Sequence, residues 1–149
     1  MVGVSADTDA TVTLRLPPSA AHVRTARLIA AAVARRSGVA EELLDEVRLA
    51  VGEACARAVR QHERHGMPVA VTVEFTEGDR FRVSVVDGAE VVPERNGHSP
   101  GMVTGRAPWA DPSGDALGLA LLGAVVQDLA VVPDPATGGT RVTMSWPLG

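Results

Sequence analysis

Residues 69–88 read Val-Ala-Val-Thr-Val-Glu-Phe-Thr-Glu-Gly-Asp-Arg-Phe-Arg-Val-Ser-Val-Val-Asp-Gly. Val69, Val71, Val73 and Phe75 alternate with Ala70, Thr72 and Glu74. After Glu77-Gly78-Asp79, Phe81, Val83 and Val85 alternate with Arg80, Arg82 and Ser84. Successive side chains of a strand point to opposite faces, so each run has one apolar and one polar face. Two such runs around a Gly-bearing turn predict a β-hairpin. Thr11–Leu16 repeats the alternation, with Val12, Leu14 and Leu16 on one side and Thr11, Thr13 and Arg15 on the other. Leu129–Val132 and Thr140–Trp146 predict a last hairpin around Pro133–Gly139. A doubly wound parallel sheet would show continuous apolar strands. Alternation throughout predicts an α+β two-layer sandwich: a mixed, mostly antiparallel sheet with helices on one face.

The helices lie between these strands. Pro17-Pro18 ends the first strand, Ser19 offers an N-cap, and Ala20–Ser37 reads as a helix closed by Gly38. A second helix is expected from Glu41 to His62. Glu41, Glu42, Asp45 and Glu46 stand in its first turns and Arg57, Arg60 and Arg64 towards its end, matching the helix dipole. Its apolar stripe is Leu43, Val47, Ala50, Val51, Ala54 and Ala58. Ala116–Asp128 predicts a short, strongly apolar third helix. Before it, residues 90–115 hold Pro93, Gly97, Pro100, Gly101, Gly105, Pro108, Pro112 and Gly114. That content predicts one long irregular segment, and loops of such length in a compact domain are usually functional.

Composition narrows the function classes. The 149 residues suit one domain, here 1–149, and carry 14 basic and 18 acidic side chains for a formal charge of −4. Every basic residue is Arg, so a Walker A lysine, a kinase-type strand lysine and a Schiff-base lysine are excluded. The one cysteine, Cys55, excludes an internal disulfide and multi-cysteine zinc sites, and among alanines it reads as a buried, inert thiol. The N-terminus lacks a basic region followed by an apolar stretch, and Ala116–Val126 is far short of the roughly 20 residues that span a bilayer. A cytoplasmic protein with no membrane partner is expected. Mild acidity with scattered arginines argues against nucleic acid. His22, His62, His65 and His98 show no metal-ligand spacing and read as surface histidines, and no metal site is expected. Trp109, in the irregular segment, reads either as a partner anchor or as part of a flap over the sheet.

Three features carry chemistry. Glu53 and Arg57, four apart, share one face of the second helix. The simplest reading is a solvent-exposed ion pair worth about 0.3–0.5 kcal/mol. Asp87-Gly88 at a strand end is either a turn or a carboxylate aimed into a pocket. Gly114 and Gly118 flank the start of the third helix, where small residues permit a phosphate to approach free N–H groups.

The order and spacing of these features resemble the anti-sigma-factor serine kinases, which have the histidine-kinase-like (GHKL) ATPase domain. The resemblance covers nearly the whole chain, including the terminal Gly138-Gly139-Thr140. It implies an ATP-binding protein that sequesters a sigma factor and phosphorylates a serine of the antagonist protein, works as a homodimer, and closes its irregular segment over nucleotide. In the family's Glu-x-x-x-Asn motif, Glu53 matches the glutamate that polarises the attacking hydroxyl, but the magnesium-holding asparagine falls on Arg57. In Asp-x-Gly-x-Gly, Asp87 matches the aspartate that binds the adenine amino group, while the glycines fall on Ala89 and Val91. In the later Gly-x-Gly, the first glycine falls on Ala116 and the second on Gly118, with Gly114 just ahead; Thr140 matches the threonine that assists adenine binding.

Arg57 is a donor only and cannot ligate a cation. In a family-like pocket it is expected to pair with Glu53, lower its pKa and so make it a poorer base. The implied function is an anti-sigma-type regulator that binds a sigma factor, the antagonist protein, or both. Its magnesium chemistry is expected to be lost and its ATP binding weak. Two alternatives stand beside it: an active ATP-dependent serine kinase with Glu53 as base, and a non-catalytic partner-binding scaffold that takes no nucleotide.

Overall fold

In the computed structural model the described residues are 2–6, 11–88 and 115–149. Six strands form one sheet: β1 (Gly3–Ala6), β2 (Thr11–Leu16), β3 (Val71–Thr76), β4 (Arg80–Val86), β5 (Asp128–Pro133) and β6 (Thr140–Pro147). Their order is β1-β2-β3-β4-β6-β5. The sheet, expected to be mixed and mostly antiparallel, is antiparallel at all five described pairings. Three helices complete the layer: α1 (Val23–Ser37), α2 (Leu44–Arg64) and α3 (Asp115–Val125). The α+β sandwich expected from strand alternation is therefore present.

The alternation explains the layering. Leu14, Leu16, Val71, Val73, Phe75, Phe81, Val83, Val85, Val142 and Met144 are buried on one face and join a single core with α1, α2 and α3. Phe75 stacks on Phe81 with ring centroids 6.3 Å apart, and Phe81 meets Trp146 at 6.1 Å. These three aromatics supply bulk that the Ala- and Val-rich remainder lacks. The opposite face is tied by polar cross-strand bonds, such as Ser84 to Thr143 (3.1 Å) and Arg141 Nη1 to Glu74 Oε2 (3.3 Å). The helix pair α1–α2 packs through small side chains: Ala26, Ala30 and Ala34 on one, Ala50, Ala54 and Ala58 on the other, all buried.

Boundaries move by a few residues. Ser19 accepts from Ala21 N as expected, but residues 20–22 form a 3-10 turn before α1. Gly38 closes α1 in the left-handed region at φ +101°. Glu41–Leu43 is likewise a 3-10 turn ahead of α2, which runs two residues past His62. The third helix, expected to reach Asp128, stops at Val125, because Asp128 already pairs with Ser145 in β5. Strand β1 was not expected; Gly-Val-Ser-Ala has no apolar alternation, and it is a strand because it pairs with the edge of β2. The irregular segment 90–115 lies, but for Asp115, outside the described residues, and with it Ala89, Val91, His98, Trp109 and Gly114.

Candidate functional site

Asp87 follows β4 directly and is buried. Four contacts fix it. Its N–H donates to Thr140 O (3.0 Å), its Oδ1 accepts from Thr140 N (3.0 Å), its Oδ2 accepts from Arg57 Nη1 (2.7 Å), and its carbonyl lies 3.0 Å from Thr137 Oγ1. The side chains of Arg57 and Asp87 are 1% and 4% exposed, so this is a fully desolvated ion pair. Such pairs hold only with close geometry and further hydrogen bonds, and both are present here.

The turn between β5 and β6 delivers Thr140 to Asp87. Asp134 Oδ2 accepts from Thr137 N (3.1 Å), an Asx-type turn, and Gly138 follows at φ +71°. Thr137 Oγ1 is also 2.8 Å from Asp134 Oδ2, so its single proton is shared between Asp134 and the Asp87 carbonyl. Gly139 passes so close that a Cβ there would lie 2.1 Å from Asp87 O and 2.6 Å from its Oδ1. Gly88, at φ +107°, also approaches Gly139 closely: a Cβ there would lie 2.9 Å from the Cα and N of Gly139.

His62 corrects one expectation, because it is completely buried rather than a surface histidine. It lies 2.9 Å from Val69 O through Nδ1 and accepts from Gly88 N through Nε2 (2.9 Å). A carbonyl only accepts and a backbone N–H only donates, so the ring is the neutral Nδ1–H tautomer. It pins the backbone just beyond Asp87. The signal was in the sequence: His62 stands four residues beyond Ala58 and continues the apolar stripe of α2.

Arg57 corrects a second. It was expected on a solvent-exposed face, or paired with Glu53, and it is neither. Its guanidinium runs inward to Asp87, thirty residues away in sequence. The reason is its place on α2 between buried Ala54 and Ala58, on the flank that faces the end of β4. Glu53 is half-buried, makes no ion pair among the described residues, and lines a groove of about 140 Å³ between α2 and α3 with Leu49, Ala50, Leu121, Leu122 and Val125. Glu53 and Asp87 thus belong to different surroundings. Gly118 lies in the first turn of α3. Cys55 is buried as expected, and burial pushes its thiol up to about 12, which leaves no nucleophile at neutral pH.

Residues 16–146 match the histidine kinase-like ATPase domain. The chain belongs to that family. No curated protein matches it. No described helix is long and apolar enough to cross a membrane.

Membership of this ATPase-domain family suggests ATP binding, and the site can be tested against it. In favour, Thr140 Oγ1 is buried beside Asp87 with no hydrogen-bond partner among the described residues. Against, both oxygens of the Asp87 carboxylate already accept from protein donors, one of them a cation. For magnesium, the position one turn beyond Glu53 carries a guanidinium, which donates and cannot ligate. No group of three His, Cys, Asp or Glu among the described residues could hold a metal ion. The residues around Asp87 and Arg57 therefore do not fit a magnesium–ATP complex.

Proposed function

We propose that this protein is an anti-sigma-type regulator that works by binding protein partners: a sigma factor, its antagonist protein, or both. The reading rests on the resemblance of order and spacing described above, within the family to which the chain belongs. The observation that carries the non-enzymatic part is the buried Arg57–Asp87 pair at 2.7 Å. At the position that the resemblance gives to a metal-holding amide stands a side chain that only donates, and its guanidinium engages Asp87, the carboxylate that by the same resemblance would select adenine. Serine phosphorylation is then absent or very slow, while the sandwich that presents the binding surfaces is held together. On this reading the protein acts in the cytoplasm as a homodimer, without contacting nucleic acid itself.

The test uses purified sigma factors and antagonist proteins from the source organism, titrated against the full chain with and without magnesium–ATP. The expected result is a complex with at least one of them that forms equally well in both conditions. Absence of any complex would remove the regulator reading. Phosphate transfer to a serine of the antagonist would replace it with the kinase alternative.

A further inference from the structure

We propose that the groove between α2 and α3 is a docking site for a basic amphipathic helix of a partner protein, which seats one apolar side chain among Leu121, Leu122 and Val125 and sets an arginine or lysine against Glu53. The inference deepens the proposed function and rests on it only for the partner's being a protein.

From Ala116 to Gln127 the sequence carries no charged side chain. A helix that is apolar all round is ordinarily buried. Yet Ala120, Leu121, Gly123 and Ala124 of α3 are exposed, Leu121 by 52%. Across the groove, Leu49 of α2 is exposed by 46%. Two large apolar side chains thus flank an apolar floor made by Ala50, Leu122 and Val125. The volume of about 140 Å³ decides the kind of occupant. Pockets for drug-sized ligands measure about 300–1,000 Å³, whereas a cavity of about 150 Å³ holds a benzene. The groove therefore takes one branched or aromatic side chain and no whole cofactor. That is how an amphipathic helix anchors itself in an apolar groove.

The charge on the groove is one-sided. Asp45, Leu49 and Glu53 follow one another at four-residue intervals along one face of α2. Arg48 holds Asp45 at 2.6 Å, towards the start of the helix. Glu53 is half-buried against the apolar groove and makes no ion pair among the described residues. Beyond Asp115, α3 offers no charge in return. A half-buried carboxylate without a cation of its own favours an occupant that brings one and disfavours an acidic helix. The occupant is therefore apolar on the face it buries and basic on the flank that meets α2.

The experiment titrates the full chain into fluorescently labelled helical peptides of about 18 residues and reads anisotropy. The first peptide has leucines along one face and arginines on its flanks. The second has serines for the leucines, and the third has glutamates for the arginines. The leucine–arginine peptide is expected to bind saturably, and the other two about tenfold more weakly or worse. Glu53→Gln should weaken the first peptide about fivefold, and Leu121→Asn about tenfold. Leu28→Asn, on the exposed side of α1, should leave it unchanged. Equal binding of the serine–arginine peptide would overturn the inference, because general attraction to an acidic chain would then suffice. Absence of saturable binding, or preference for the glutamate peptide, would overturn it too. So would folded Glu53→Gln and Leu121→Asn proteins that both bind as wild type does. Self-association of the wild type that Leu121→Asn abolishes, read by sedimentation, would replace the partner helix with a second copy of this chain. The three-peptide comparison uses wild type alone, so it decides the matter even where a variant does not fold. Peptide binding with a failed partner titration removes the regulator reading and keeps the groove; the reverse result removes the groove alone.

Discussion

Replacing Gly139 with alanine tests whether the β6 backbone is what holds Asp87. The new Cβ would stand 2.1 Å from Asp87 O, 2.7 Å from its carbonyl carbon and 2.6 Å from Oδ1. Two of these three atoms are backbone, so no side-chain rotation relieves the clash. Separating them to ordinary contact requires a shift of more than an ångström, which breaks Asp87 N to Thr140 O and Thr140 N to Asp87 Oδ1, both 3.0 Å. A neutral bond contributes about 0.5–1.5 kcal/mol and one to a charged group about 1.5–3 kcal/mol. Overpacking strain adds about 1–3 kcal/mol. The expected loss is about 3–7.5 kcal/mol, or about 6–30 °C in melting temperature for a domain of this size. Gly38→Ala is the control. At φ +101° with nothing within 4 Å of the built Cβ, it meets only the torsional penalty of the left-handed region, about 1–2 kcal/mol. Urea unfolding followed by circular dichroism measures both variants. If Gly139→Ala loses no more stability than Gly38→Ala, the close approach does not organise the site and the reasoning fails.

Asp87→Asn leaves Arg57 buried without its carboxylate, and should cost about 3–5 kcal/mol by the same unfolding assay. Gly123→Ala sits in an exposed helical turn where the new Cβ meets only Leu129 at 3.8 Å, and should stabilise by about 0.5–1 kcal/mol. Native Cys55 should resist alkylation at neutral pH and react only as the protein unfolds, because burial lifts its thiol to about 12. The same shift has a defined sign: above about pH 8.5, where the unfolded thiol ionises and the native one stays protonated, stability should fall by up to about 1.4 kcal/mol per pH unit. A Cys55→Ala variant should show a shallower alkaline slope, and an identical slope would assign the loss elsewhere.

The strands were legible because one covered face imposes strict alternation, and Thr11–Leu16, Arg80–Val86 and Thr140–Trp146 all carry it. Strand β1 was not, because four residues without a pattern become a strand only through the neighbour they pair with. The roles of Arg57 and His62 were hidden for a related reason. Spacing along α2 shows that Glu53 and Arg57 are neighbours, but not that a carboxylate thirty residues on competes for the guanidinium, since burial and the β4–β6 register decide that. Asp87 and Thr140 were both singled out by resemblance, and the structure brings them within two hydrogen bonds of each other. His62 stood on the continued apolar stripe, where its period already pointed inward.

Under the proposed function, the buried Arg57–Asp87 ion pair stands in place of magnesium–ATP chemistry in this family fold. The most direct measurement is the melting temperature of the wild-type chain across an ATP titration, with and without magnesium. A ligand that binds only the folded state raises stability by about 2.7 kcal/mol at a hundredfold excess over Kd. For a domain of this size that is a rise of about 5–11 °C. The account predicts no rise at millimolar ATP and no difference between the magnesium and magnesium-free series. A saturable, magnesium-dependent rise would contradict it, because it would show a working nucleotide site despite the guanidinium at position 57.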